Sequence, residues 1–184
     1  MIALLVLLAW GLEPLSSQYF AYQIDPLGQV QLYQFITANL IHTNTTHTVL
    51  NLAALGLLWA IHGLYYRFWQ FLAMCLFFSV CVTLGIWMFS TDLLWYAGLS
   101  GTLHGIFVYG AYQDVINKVK LGWLIMSGLW LKIIYEQVFG QDQMVAQLIE
   151  ANVAVDAHLY GAIAAVIWLL GCFFVRQKNA QKNI

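Results

Sequence analysis

Long uninterrupted apolar runs constrain this chain more than any other feature. A helix needs about 20 residues to cross a bilayer. Six stretches reach or approach that length: 1–12, 45–61, 68–90, 100–116, 121–139 and 152–175. They are continuously apolar instead of alternating, so they do not describe a β-barrel. Of the 184 residues, 62% are hydrophobic and 8% charged; soluble domains average about 45–50% and about 25%. Seven Lys/Arg and eight Asp/Glu cannot cover a soluble surface of this size. That excludes a cytosolic enzyme, a disordered scaffold and, with a net charge of −1 and no basic run, a nucleic-acid binder. Cys75, Cys81 and Cys172 lie inside apolar runs and are odd in number, unlike a disulfide framework. The expected fold is a single all-α membrane domain over 1–184, a bundle of six transmembrane helices surrounded by membrane lipid.

The first stretch, MIALLVLLAWGL, is short for a span. It lacks the basic flank and the A-x-A-like site of a signal peptide, so it is expected to be a short first helix. Positive charge sets the orientation. Arg67, Lys118, Lys120, Arg176, Lys178 and Lys182 fall on one side, while Glu13, Asp25, Asp92, Asp142, Glu150 and Asp156 fall on the other. The basic side is expected to be cytoplasmic, with both termini inside and spans two, four and six starting from the outer face.

Within span five, Lys132 and Glu136 are four apart and share a helix face. They read as a mutually neutralising structural pair in preference to a transport relay, since one isolated pair supplies no relay. No internal repeat or matched pair of broken helices points to a transporter. The connection from Glu13 to Gln34, with Pro14 and Pro26, is too long for a simple turn and mixes apolar with polar residues (Tyr19, Phe20, Tyr22, Leu27). It is expected to lie partly in the outer membrane surface. Trp95, Tyr96 and Trp123 read as interfacial aromatics.

Polar groups inside spans are expensive and ask for a reason. Span two opens with I-H-T-N-T-T-H-T-V-L-N, which supplies His42, His47 and Asn51. Span four opens with Y-A-G-L-S-G-T-L-H-G, supplying Ser100 and His104 among Gly98, Gly101 and Gly105. Span six carries V-D-A-H-L-Y-G-A, supplying His158. The charge-derived topology brings all three groups to one depth in the outer half. A Ser beside a His in a dry site makes a nucleophile and its general base. Asn51, His47 and the Ser100 N–H are candidate donors to an oxyanion.

Plainer readings exist for each. A helix-start Ser is commonly a cap. Gly101 with Gly105, and Ala157 with Gly161 and Ala165, are small-xxx-small faces that mark close helix packing; here they also predict that spans four and six touch. His47 with Asn51 suits a structural hydrogen-bonded pair, and His42 suits fixing the preceding loop. His104, four residues after Ser100, is a rival base with restricted reach. A zinc site from His42, His47 and His158 lacks an H-E-x-x-H spacing and a carboxylate ligand. An aspartyl dyad lacks two Asp within spans. Serine chemistry, with neither metal nor cofactor, accounts for the most residues.

Thr37 and His42, His47-x-x-x-Asn51, Gly98-Leu99-Ser100-Gly101 and His158-x-x-Gly161 together resemble the rhomboid family of intramembrane serine proteases. They stand in that family's order across residues 33 to 165. The stretch Gly98 to Gly105 and the compact size are most similar to rhombosortases. The resemblance implies a Ser100–His158 dyad without a third Asp, and an oxyanion hole of His47, Asn51 and the Ser100 N–H. It also implies that His104 stacks on His158. The implied substrates are bacterial surface proteins with a C-terminal Gly-Gly-containing transmembrane sorting tail. They would be cut at the inner membrane from its periplasmic side, with release to water or transfer to an anchor. Two departures stand out: the family's Trp-Arg pair is Tyr33-Gln34 here, and Ala165 replaces a glycine. Rival readings are a general rhomboid protease, an inactive rhomboid-like binding protein and a small transporter.

Overall fold

The structure is a computed structural model describing residues 2–11, 15–25 and 28–182. Glu13, Pro14, Pro26 and Leu27 lie outside the described residues. The chain is mostly helical, and each apolar stretch of the sequence forms a helix. These are α1 (Ile2–Gly11), α4 (Thr45–His62), α5 (Phe68–Phe89), α6 (Ser100–Ile116), α7 (Gly122–Phe139) and α9 (Val155–Lys182). Shorter helices lie between them: α2 (Leu15–Phe20), α3 (Gln34–Thr37) and α8 (Gln143–Ile149). Three helical segments are long and apolar enough to cross a membrane: Thr45–Tyr65, Phe68–Phe89 and Val155–Asn179. The last helix outruns the expected end at 175, because nothing in the polar tail R-Q-K-N-A-Q-K breaks a helix.

Helix α6 sits at the centre and touches α4, α5, α7 and α9. Its buried side includes four small residues, Gly101, Gly105, Gly110 and Ala111. In lipid, helices gain little by hiding apolar surface from one another, so close van der Waals packing must hold them together. The α6–α9 contact has that character. A Cβ added to Gly101 would stand 2.7 Å from the Ala157 carbonyl oxygen, and one on Gly105 would stand 2.7 Å from that of Gly161. A Cβ on Gly161 would collide with the Gly101 carbonyl. The small-residue faces therefore do bring spans four and six together, in parallel. Larger side chains close the core on either side, including Met74, Phe78, Ile106 and Ile133. Leu57, Trp69, Leu131, Leu170 and Phe174 point outward and exposed, as lipid-facing groups do.

The long first connection is built into the fold. Two short strands, β1 (Tyr22–Gln23) and β2 (Trp95–Tyr96), pair antiparallel with Tyr22 opposite Tyr96. This small ribbon departs from an all-helical expectation. It ties the first connection to the turn that enters α6. Tyr33 and Gln34 stand where the resembled family has its Trp-Arg pair. They hold the same connection through their own groups: Tyr33 Oη donates to the Tyr19 carbonyl at 3.1 Å and Gln34 Nε2 to the same oxygen at 3.4 Å. Thr37 Oγ1 adds a 2.8 Å bond to the Phe20 carbonyl.

Candidate functional site

Helices α4, α6 and α9 all begin at one end of the bundle, and their first turns carry the polar groups. Ser100 is the first residue of α6, following Leu99 at the capping position. Its hydroxyl does not cap the helix. It lies 3.0 Å from His158 Nε2 instead. The first N–H groups of α6 have no acceptor within the helix, which leaves them available to a ligand.

The turn before Ser100 is held from behind. Gly98 has φ +138°, in the region that favours glycine, and a Cβ there would stand 2.8 Å from His47 Cε1. Its N–H donates to the Ala38 carbonyl at 2.9 Å, and its carbonyl accepts Tyr96 Oη at 2.6 Å. Tyr96 is 3% exposed. The ring read as interfacial is thus a buried strut of this turn, because β pairing carries it inward; burial pushes its phenol well above the usual tyrosine range. Beneath it, fully buried Asn39 donates to Thr83 Oγ1 at 3.0 Å and accepts from Thr102 Oγ1 at 3.1 Å. Sequence reasoning passed over Asn39, since a lone Asn outside any motif carries no signal.

A cavity of about 370 Å³ opens over the serine, lined by His47, Asn51, Ser100, His104, Glu136 and His158, with Val145 and Ile149 of α8 on its far wall. A second, of about 210 Å³, reaches Ser100 from the side of Trp95 and Tyr96. His47 Nδ1 and Thr43 Oγ1 are 3.1 Å apart, and Asn51 Nδ2 donates to the His47 carbonyl at 3.1 Å. Thr43 Oγ1 also donates to the Ile149 carbonyl at 2.7 Å, and Asn44 Nδ2 to that of Leu148 at 3.1 Å, which seats α8 over the cavity. His42 does not line it. Its ring stands edge-on behind His47, with centroids 4.9 Å apart. Burial pushes the His42 imidazole down to about 3, with the neighbouring His47 adding to the effect, so it packs as a neutral ring.

His104 stacks on His158 with centroids 4.0 Å apart and planes 16° from parallel. Its Nδ1 donates to the Ser100 carbonyl at 2.8 Å. Gly101 and Gly161 lie directly under this pair, where their contact sets the α6–α9 spacing.

The Lys132–Glu136 pair is not isolated, contrary to its sequence reading. Glu136 Oε1 accepts Lys132 Nζ at 2.6 Å, and Oε2 lies 2.9 Å from His158 Nδ1. Lys132 Nζ is also 3.2 Å from His104 Nε2. A carboxylate therefore meets His158, where a Ser–His dyad without a third Asp was expected. It comes from α7 and is a Glu instead of an Asp. The available signal was position: residue 136 lies near the end of α7, level with Ser100 and His158. Asp156, nearer in sequence, is bound elsewhere, accepting Ser90 Oγ at 2.6 Å.

The ligating atoms of His104, Glu136 and His158 lie within 4.8 Å of one another. Lys132 already sets an ammonium against two of the three groups, so a side-chain cation occupies the role that a metal would take. Among the described residues, His42, His47 and His158 form no such cluster.

A family model, the Rhomboid domain, matches residues 29–175. No curated protein matches the chain. The chain belongs to the rhomboid family of intramembrane serine proteases.

Proposed function

We propose that this rhomboid is an active intramembrane serine endopeptidase, a single domain with Ser100 as nucleophile and His158 as general base. The observation that carries this reading is the 3.0 Å approach of Ser100 Oγ to His158 Nε2 at the floor of a cavity. That distance is within proton-transfer reach. As the Oγ–carbon bond forms, the hydroxyl proton passes to Nε2. The same proton then goes to the departing amine as the peptide C–N bond breaks. The negative oxygen formed meanwhile faces His47, Asn51 and the Ser100 N–H. Water then attacks the acyl-enzyme and completes hydrolysis; an amine attacking instead transfers the fragment to an anchor. An inactive relative is expected to lack the serine or the histidine, and both are present here.

The chain threads the membrane six times, through α1, α4, α5, α6, α7 and α9, with both termini cytoplasmic. Supporting this, six of the seven Lys/Arg, all but Lys132, fall in the loops and the tail away from Ser100. The site then faces the periplasmic side of a bacterial inner membrane. The Gly98–Gly105 stretch supports the narrower reading of a rhombosortase that cleaves Gly-Gly-type C-terminal sorting tails.

A fluorophosphonate probe should label the wild-type protein and leave Ser100→Ala unlabelled; equal labelling would overturn the nucleophile assignment. Mass spectrometry of C-terminal peptides, in cells with and without the enzyme, addresses the substrate. Altered Gly-Gly-tail proteins are expected. Changes confined to other membrane proteins would favour a general rhomboid protease.

A further inference from the structure

We infer that Glu136 is a positioning residue for His158, making the site a Ser–His–Glu arrangement in which Lys132 keeps the carboxylate in place. The hydrogen bonds of the site form a closed circuit that begins and ends at Ser100. The Ser100 carbonyl can only accept, so His104 Nδ1 carries the proton of their 2.8 Å bond and His104 Nε2 is bare. Lys132 Nζ is a donor without acceptor capacity, and it serves both His104 Nε2 at 3.2 Å and Glu136 Oε1 at 2.6 Å. The second Glu136 oxygen faces His158 Nδ1 at 2.9 Å, and His158 Nε2 faces the Ser100 hydroxyl at 3.0 Å.

Each link fixes the next. An ionised carboxylate only accepts, so it holds the His158 proton on Nδ1 and leaves Nε2 bare toward the serine. When the serine proton arrives at Nε2, the imidazolium lies beside a negative charge already in position. Nothing has to reorient at that moment. The Glu136 side chain is 13% exposed against 49% for that of Lys132. A carboxylate so placed is costly unless both oxygens are satisfied, and here they are, by two different helices' groups. The charged and titratable groups facing His158 are Glu136 and Lys132 from α7, His104 from α6 and His47 from α4.

A purely structural ion pair and a positioning carboxylate make different predictions, which two substitutions separate. Lys132→Met breaks the pair but keeps Glu136 on His158. Glu136→Gln breaks the pair and removes the charge beside His158, with almost no change in shape. Provided that Ser100 and His158 act as nucleophile and base, the reading on which this role rests, Glu136→Gln should lower kcat about 100-fold. KM should change little, and the acid limb of the kcat/KM profile should move to lower pH, because the imidazolium has lost its counter-charge. Lys132→Met should cost less than about tenfold in kcat and leave that limb near its wild-type position. Glu136→Asp, which retains the charge, should recover part of the loss.

The experiment follows cleavage and fluorophosphonate labelling of the purified full chain across pH, with thermal unfolding to show that each variant is folded. Equal losses in Lys132→Met and Glu136→Gln, with unmoved pH profiles, would overturn the role of Glu136 while leaving Ser100 as nucleophile. So would wild-type labelling rates in Glu136→Gln. A folded wild type whose labelling Ser100→Ala does not abolish would overturn both readings together. Should Glu136→Gln fail to fold, Lys132→Met and Glu136→Asp still decide: a loss in Glu136→Asp no smaller than that in Lys132→Met, without a pH shift, counts against positioning.

Discussion

The bundle holds two histidine–carboxylate pairs, one at each end, and they differ in what surrounds them. At the Ser100 end His158 Nδ1 meets Glu136 at 2.9 Å, with a serine on the other ring nitrogen and a cavity of about 370 Å³ above. At the other end His62 Nε2 meets Asp114 Oδ2 at 3.0 Å, and Tyr65 Oη donates to the second Asp114 oxygen at 2.8 Å. His62 is fully buried, its ring packed against Gly110, and its Nδ1 has no partner among the described residues. The bond between histidine and acid is nearly the same in both. The His62 pair joins the foot of α4 to α6 and is sealed. The His158 pair has a hydroxyl placed to attack, a cation to steady the acid, and room for a peptide. A histidine–carboxylate contact is therefore weak evidence of chemistry on its own; the third group and the open space distinguish the two.

Ser100→Ala gives the widest separation of the two ends. Peptide cleavage should fall by about 10⁴-fold or more, whereas His62→Phe should leave kcat within about tenfold and act on stability. A kcat loss in His62→Phe matching that of Ser100→Ala would erase the distinction. Next comes the Gly101–Gly161 helix contact, within one turn of His104 and His158. Gly161→Val drives side-chain atoms into the Gly101 carbonyl; overpacking of this kind costs about 1–3 kcal/mol or more and should abolish cleavage by spreading Ser100 from His158. Thermal unfolding and cleavage are the measures, and retained activity would show that the α6–α9 spacing is not what holds the pair together.

Asp114→Asn should cost about 1–3 kcal/mol by weakening the bonds to His62 and Tyr65, yet leave the kcat of the folded fraction and its pH profile unchanged. An altered profile would mean that the His62–Asp114 pair reports to the site. Thr43→Val should have the smallest effect. It removes the bond to the Ile149 carbonyl, worth about 0.5–1.5 kcal/mol, and the 3.1 Å contact with His47 Nδ1, and should change KM a few-fold by loosening α8, with a smaller loss in kcat. Steady-state kinetics on one peptide substrate would reveal a larger kcat effect instead.

Much of this was legible from the chain alone. The six apolar stretches each became a helix, since the length and polarity of a run decide what a lipid-embedded segment can be. His47, Asn51, Ser100, His104 and His158 line one cavity because α4, α6 and α9 begin at one end of the bundle and helical spacing places these residues in or near their first turns. Gly101, Gly105 and Gly161 pack as their four-residue spacing suggests. Three features were not legible. Asn39 reaches Thr83 and Thr102 by contacts 44 and 63 positions away, and Tyr96 turns inward to Gly98 through its pairing with distant Tyr22, which no local pattern records. Tyr33 and Gln34, where the family has a Trp-Arg pair, hold the first connection through their own hydrogen bonds. Glu136 was visible, but only as the partner of Lys132.

The sequence by itself determined which segments are helices, which residues are too polar to sit in lipid without cause, and at what depth they sit. Those properties depend on transfer energies and on the 3.6-residue period, both local. The tertiary structure alone decided azimuth: which face of α7 turns toward α9, and so whether Glu136 neutralises only Lys132 or also holds His158. Rotation about a helix axis is set by the packing of neighbouring helices, and that information is spread over the whole bundle. The few charges that mark this chain as a membrane protein acquire their second role there.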